Sequence, residues 1–163
     1  MKKNWVISEN RLPLFSKNGK QLYFGVAPKP IAKDTAMIAN DHAVVDIWNY
    51  KDDYLQTIQL KELKNDLKKS YAAVMQTEKP DSFRNIDGED LDTLRWVNEG
   101  NAEFALGITS LNNRIPSQWE GATKKTYFLI NNKTGERTEV VKNLNGSVEV
   151  SPLGNYVVIF DKE

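Results

Sequence analysis

"SPLGNYVVIF" (residues 151–160), near the end of the chain, repeats the pattern of "SKNGKQLYFG" (residues 16–25), near its start. Each copy has a serine, a glycine three residues later and then a run rich in apolar β-forming residues. Glycine readily adopts the positive φ of a tight turn, and alternating apolar residues indicate a half-buried strand. A third glycine turn between two apolar runs, without the serine, surrounds Gly100 in "LRWVNEGNAEFALGITS". The chain therefore contains three strand–turn–strand units.

The segments between these units predict further strands and one helix. Pro28 and Pro30 cannot donate to a strand ladder, so they predict a loop over residues 28–41. Leu60, Leu63 and Leu67 recur at helical spacing among polar residues and predict a short amphipathic helix near residues 55–69. Composition and alternation predict strands over residues 21–27, 43–50, 70–77 and 81–86, and a hairpin over residues 125–142.

The repetition of strand–turn–strand units is typical of a β-propeller, although their spacing here is longer than one blade. The three turn glycines are separated by 81 and 54 residues, whereas propeller blades commonly repeat every ~40 to 50 residues, and the predicted loop and helix account for the longer first interval. Blades are four-stranded antiparallel sheets that pack on their neighbours. We therefore predict a mainly β fold with antiparallel, four-stranded, blade-like sheets. We expect residues 1–163 to form a single partial propeller region of about two blades (8–90 and 91–142) and the start of a third (143–163).

Five segments cover the chain almost from end to end and carry a resemblance to a known family. They are "RLPLFSKNGKQLYFGVAPKP", "VDIWNYKDDYLQTIQLKELKNDLKKSYAAV", "NAEFALGITS", "TYFLINNKTGERTEVVKNLNGSV" and "VSPLGNYVVIFD". The sequence resembles the β-propeller domain of prolyl-oligopeptidase-like serine peptidases, particularly the large multidomain forms of Bacteroidetes. One departure is Leu153, which stands where such repeats usually have aspartate.

The resemblance implies a non-catalytic propeller segment that gates peptide access to a separate, C-terminal α/β-hydrolase domain. That domain would carry the catalytic Ser, Asp and His, and this chain has no Gly-x-Ser-x-Gly nucleophile motif. We expect no hydrolysis by this chain alone, although the parent protein would be a serine peptidase with peptide substrates. Export to the periplasm, or secretion, is implied by the resemblance alone.

Two alternatives to a peptidase segment remain open at the level of sequence. The first is a freestanding β-rich interaction module that binds a peptide, glycan or protein partner through loops such as residues 28–41 and 110–122. The second is a pseudo-enzyme relic whose hydrolase domain has lost its triad. An open partial propeller would also expose apolar faces and strand edges, so we expect self-association.

Composition excludes several other classes of function. Lys plus Arg and Asp plus Glu number 22 each, so no net field draws the chain to nucleic acid or an anionic membrane. No cysteine is present, which removes disulfides, thiolate nucleophiles and cysteine-based zinc sites. No segment approaches the ~20 apolar residues of a membrane span. Partners from the nucleic-acid and membrane classes are therefore not expected.

Single residues with catalytic or metal-binding chemistry favour structural interpretations. Ser147 follows Gly146 but lacks the second glycine of a nucleophile elbow, and His42 has Asp41 beside it but no nucleophile. The acidic stretch "DGEDLD" (residues 87–92) lacks EF-hand spacing, so a solvated inter-blade loop is favoured over a calcium site. We predict no catalytic, cofactor or metal site. The lysines of the predicted helix indicate its solvated side: Lys61, Lys64, Lys68 and Lys69.

Four aromatic residues could form a binding platform for a glycan or peptide. In or beside strands, bulky aromatics more often fill the space between sheets, so core packing is favoured for Trp48, Tyr50, Trp96 and Trp119. Trp119 lies in the loop "RIPSQWEGA" and is the most suited of the four to exposure. Asn132 and Asn145 begin glycosylation sequons, but both coincide with turns that favour asparagine in any case.

Overall fold

A computed structural model describes residues 4–32 and 45–162, and within these ranges the protein is mainly β with antiparallel sheets, as predicted. The helices are α1 (Gln56–Asp66) and α2 (Ser117–Glu120). The strands are β1 (Trp5–Ile7), β2 (Leu14–Phe15), β3 (Gln21–Pro28), β4 (Tyr71–Gln76), β5 (Phe83–Asn85), β6 (Thr93–Trp96), β7 (Phe104–Thr109), β8 (Lys125–Asn131), β9 (Arg137–Leu144), β10 (Gly146–Val150) and β11 (Val157–Asp161).

The first sheet is built around β3. The strand β4 pairs with one edge of β3, and β5 pairs with β4. The short strands β1 and β2 share the other edge of β3, opposite Val26 and Tyr23 respectively. Pro28, which was predicted to lie in the loop, is the last residue of β3, opposite Trp5; the strand ends after it, since proline cannot donate to a ladder.

The second and third sheets follow in chain order. The second sheet has the order β6-β7-β8-β9, in which every neighbour is the next strand along the chain. The strands β10 and β11 pair only with each other among the described residues and form a separate two-stranded sheet. The predicted helix near residues 55–69 is confirmed as α1, within the connection between β3 and β4.

The repeated Ser-x-x-Gly units fold into matching turns. In the β2–β3 turn, Ser16 N–H donates to the Gln21 carbonyl at 2.9 Å and Gly19 N–H donates to the Ser16 carbonyl at 2.8 Å. In the β10–β11 turn, the corresponding bonds from Ser151 and Gly154 are also 2.9 and 2.8 Å long. Both glycines have positive φ, at 70° and 75°. The likeness of the two sequences therefore extends to the hydrogen bonds of their turns.

The three sheets stack face to face, with the second in the middle. Phe128 and Ile130 of β8 face the first sheet, in a cluster with Tyr23, Ala72, Val74, Ile86 and Leu91. The neighbouring residues Tyr127 and Leu129 face the other way, in a cluster with Leu106, Leu144 and Val148 that joins the second and third sheets. Alternation along β8 therefore covers both faces of the middle sheet, as the two-residue period of a strand requires.

Two sequence expectations need correction. The predicted strand over residues 43–50 is wrong for its described part, because residues 45–50 are in no strand. The side chains of this segment are largely exposed: Val45 at 71%, Ile47 at 68%, Trp48 at 67% and Tyr50 at 87%. These β-forming residues therefore have no sheet to pack against. The predicted apolar stripe is not buried either: Leu60 and Leu63 of α1 are 51% and 49% exposed, Leu67 follows the helix and is 77% exposed, and α1 buries no residue. Within the described ranges, neither helix has the length and apolar character that crossing a membrane requires.

Candidate functional site

Arg114 joins two segments that are far apart in sequence. Its Nη1 lies 2.5 Å from Oδ2 of Asp53, its Nη2 donates to Oδ1 of Asp92, and its Nε donates to Ser110 Oγ at 3.1 Å. The guanidinium carbon lies 4.6 Å from the centre of the Tyr54 ring. This Arg114 cluster (Arg114, Asp53, Tyr54, Asp92 and Ser110) holds the segment before α1 against the turn after β7.

Asp92 is the anchor of the cluster on the second sheet. It lies directly before β6 and accepts bonds from the main-chain N–H and the hydroxyl of Ser110, both at 2.6 Å. Burial raises the pKa of Asp92. The hydrogen bonds from Ser110 and the Arg114 guanidinium lower the pKa by more than burial raises it, so it lies below its usual range. Burial lowers the pKa of Arg114, and its ion pair with Asp92 raises it more. Both groups are therefore charged at neutral pH.

We expect Asp92→Asn to destabilise the protein by about 2 kcal/mol at pH 7, because charge-assisted hydrogen bonds are lost. The pKa of Asp92 is lower in the folded than in the unfolded state. Its stabilisation is therefore complete above the unfolded value of about 4 and is lost as the pH falls through the folded value. Urea titrations of the variant and the wild type should differ at pH 7 and converge as the pH falls through the folded pKa of Asp92. Asp81→Asn, at an exposed position, is the control, and a difference between variant and wild type that is independent of pH would contradict the assignment.

A cleft of about 550 Å³ lies beside the Arg114 cluster. One wall comes from the segment before α1 and from its first residue, and the other comes from α2 and the residue Ile115. Three of its aromatic side chains are largely exposed: Trp48 at 67%, Tyr50 at 87% and Trp119 at 75%. Volumes of about 300–1,000 Å³ are typical of ligand sites. This aromatic cleft is the candidate functional site.

The four aromatics considered from sequence divide into two groups. Trp96 is half-buried between the first two sheets and contacts the Tyr23 ring at 3.9 Å between centroids, as predicted for core packing. Trp119 is exposed, as its loop position suggested. Core packing is wrong for Trp48 and Tyr50, which lie on the open segment 45–50 and line the aromatic cleft.

Comparisons with known proteins leave the family open. No family model, curated protein or solved structure matches the chain. The resemblance to prolyl-oligopeptidase-like peptidases therefore rests on the sequence segments alone and stays a prediction, as does the division into blades at residues 8–90, 91–142 and 143–163.

The acidic stretch of residues 87–92 connects the first and second sheets, but its carboxylates do not converge. Asp87 lies 3.5 Å from Arg11 and accepts the Ala72 N–H at 3.2 Å. Asp90 pairs with Arg137 at 2.9 Å, and Asp92 belongs to the Arg114 cluster. Arginine pairing, rather than simple solvation, therefore occupies these three carboxylates. Among the described residues no group of three or more His, Cys, Asp or Glu could hold a metal ion.

Other residues considered from sequence lie away from the cleft. Ser147 is an exposed residue of β10 opposite Phe160, and the lysines of the α1 region are exposed, as predicted. His42 and Asp41 lie outside the described residues, together with most of the predicted loop 28–41. Asn132 is 2% exposed and its amide nitrogen donates to the Ala102 carbonyl at 3.0 Å, so this sequon asparagine has a structural role.

Sequence reasoning missed the Arg114 cluster. Asp53 and Asp92 lie 61 and 22 residues from Arg114, and charged residues at such distances form no pattern along the chain. The one available signal was the run of aromatic and acidic residues in "WNYKDDY" (residues 48–54), which is unusual for a strand. That composition favours a loop with exposed aromatics over the strand that was predicted.

Proposed function

We propose that the chain is a non-catalytic β-propeller segment of a prolyl-oligopeptidase-like serine peptidase, which gates peptide access to a separate α/β-hydrolase domain. The observation that carries the proposal is the stacking of the sheets in chain order. The second sheet is covered on one face by the sheet before it and on the other by the sheet after it. Successive propeller blades bury their faces in this way. The matching Ser16 and Ser151 turns support the same interpretation.

The proposal assigns the terminal hairpin to the start of another blade. Among the described residues β11 pairs with β10 alone, and its outward residues Val158 and Phe160 are 66% and 61% exposed. In a propeller, further strands would pair with the edge of β11 and another sheet would cover these side chains. The isolated chain should instead self-associate through this surface.

Reading the coding sequence beyond Glu163 tests the proposal directly. We expect further strand–glycine–strand units, followed by a Gly-x-Ser-x-Gly motif with Asp and His later in the chain. A triad lost from an otherwise complete hydrolase domain would indicate a pseudo-enzyme. A stop codon directly after Glu163 would contradict the peptidase proposal.

A freestanding interaction module is the second candidate, and the aromatic cleft is the observation that favours it. Exposed tryptophan and tyrosine side chains are enriched at recognition surfaces. The segments that carry them are joined by a partly buried ion-pair cluster, in which the side chains of Arg114, Asp53 and Asp92 are 16%, 26% and 28% exposed. This supports a rigid binding surface, and the module would use it to bind a peptide or another partner.

A further inference from the structure

The charge of the aromatic cleft is negative. Among the described residues that line it, Asp52 alone carries a charge, and the rest are aromatic, aliphatic or amide side chains. The segments that form its walls, residues 45–56 and 114–120, contain four carboxylates and two cations, a formal charge of −2. The whole chain has a formal charge of 0. The cleft is therefore a locally negative region of a neutral protein.

Both cations of these walls are already engaged. Arg114 pairs with Asp53 and Asp92 and lies over the Tyr54 ring. Lys51 Nζ lies 5.5 Å from the centre of the Tyr50 ring. Both basic side chains of the walls therefore make cation–π contacts with tyrosine rings of the walls.

The two tryptophans of the cleft remain open to a similar contact. In the described part of the chain, no Lys or Arg contact is made by the ring of Trp48 or Trp119, although tryptophan is the strongest cation–π acceptor among the aromatic residues. Asp52 is half-buried, lines the same cleft and accepts a hydrogen bond from Gln59 Nε2 at 3.1 Å through Oδ2. Among the described residues, none donates a hydrogen bond to its Oδ1.

We propose that the aromatic cleft binds the lysine or arginine side chain of an extended peptide. The basic group lies against the indole rings of Trp48 and Trp119 and pairs with Asp52, and the amide side chains of the walls contact the peptide main chain. Charge complementarity selects this ligand over an anion, and over an uncharged sugar ring that could stack on the same indoles. The inference rests on the second candidate function, recognition by a module, and names its ligand class.

Isothermal titration calorimetry with short blocked peptides tests the proposal. The probes are acetyl-Ala-Arg-Ala-amide, its lysine analogue and its citrulline analogue, which has the shape of the arginine peptide without its charge. We expect the arginine and lysine peptides to bind about tenfold more tightly than the citrulline peptide, and added salt to reduce that ratio. Trp119→Ala should weaken the binding of both basic peptides about tenfold.

Matched variants separate the role of the charge from that of the fold. Asp52→Asn should weaken the arginine peptide severalfold and leave the citrulline peptide unchanged. Tyr156→Ala removes an aromatic side chain that is 75% exposed outside the cleft, and it should alter neither affinity. Circular dichroism identifies any variant that fails to fold. If a variant fails, the comparison of the charged peptides with the citrulline peptide on the wild-type protein still tests the proposal.

Three outcomes would overturn the inference: equal affinity for the arginine and citrulline peptides, binding of maltohexaose but not of the peptides, or no binding up to about 10 mM of any probe. These outcomes concern the cleft alone. The peptidase proposal depends on the coding sequence beyond Glu163, so the failure of one can be distinguished from the failure of the other.

Discussion

Replacing Tyr23 with alanine will lower the free energy of unfolding by about 3–5 kcal/mol, the usual cost of deleting a large buried aromatic side chain. Tyr23 is 2% exposed and lies at the centre of the contact between the first and second sheets. Its ring contacts Trp96, and its hydroxyl lies 2.8 Å from the Gly100 carbonyl oxygen. The substitution removes packing and a hydrogen-bonding group from both sheets at once.

The surroundings of Tyr23 leave little room for collapse into the cavity. A Cβ atom on Gly100 would lie 2.7 Å from the Tyr23 ring, so the β6–β7 turn already packs closely against it. Asn132 also donates to the hydroxyl at 3.4 Å. Burial raises the pKa of Tyr23 to about 12. The cavity left by alanine should therefore persist and lower the stability of the folded state.

Thermal and urea unfolding will measure this effect, with two matched variants as controls. Tyr23→Phe keeps the ring and should cost only about 1–2 kcal/mol, for the unmade hydrogen bonds. Tyr156→Ala, at a position that is 75% exposed, should cost under about 0.5 kcal/mol. For a domain of this size the Tyr23→Ala midpoint should fall by about 10 °C. A shift no larger than that of Tyr23→Phe would show that the first two sheets do not depend on this contact.

The parts of the fold that were predictable from sequence are those with local causes. The Ser16 and Ser151 turns could be predicted because a glycine with positive φ and a serine three residues before it are sufficient to form them. The helix α1 could be predicted from three leucines at helical spacing. In each case the information lies within about ten residues of chain, where periodicity and turn chemistry act.

The rest depended on contacts between distant residues. Val45 and Ile47 favour a strand over residues 45–50, but β3 and β4 pair directly with each other, and among the described residues this segment has no strand partner. For the same reason Trp48 and Tyr50, expected in the core, became walls of the cleft. No local sequence pattern predicts the Arg114 cluster, because its two carboxylate partners are positioned by packing of the β3–β4 connection against the second sheet. Propensity was overridden here by tertiary structure.

The stacked arrangement makes stability uneven along the chain. The cluster between the first and second sheets and the cluster between the second and third sheets share no buried residue. Stacked units of this kind stabilise only their immediate neighbours, so the terminal sheet can separate without opening the cluster around Tyr23. The two-stranded third sheet depends most on its neighbour, since an isolated hairpin is marginal in water.

Replacing Val148 with lysine should therefore detach the β10–β11 hairpin while leaving the first two sheets folded. Val148 is fully buried, with 0% exposure, against Leu106, Tyr127 and Leu144 of the second sheet. Burying an unpaired ammonium there costs several kcal/mol, more than the hairpin contact can offset. Hydrogen exchange followed by mass spectrometry should show rapid exchange over residues 146–161 and continued protection of β3, β4 and β7.

The matched control places the same lysine on the opposite face of the same hairpin. Val158 is 66% exposed and lies opposite Glu149, which already pairs with Arg95 at 3.2 Å. Val158→Lys therefore buries no charge and should keep the hairpin protected. Because this variant also charges the apolar outer face, light scattering should show less self-association than for the wild type. Equal loss of protection in both variants would mean that the hairpin is not held by its contact with the second sheet. Unfolding of all three sheets by Val148→Lys would mean that they form one cooperative unit rather than a stack.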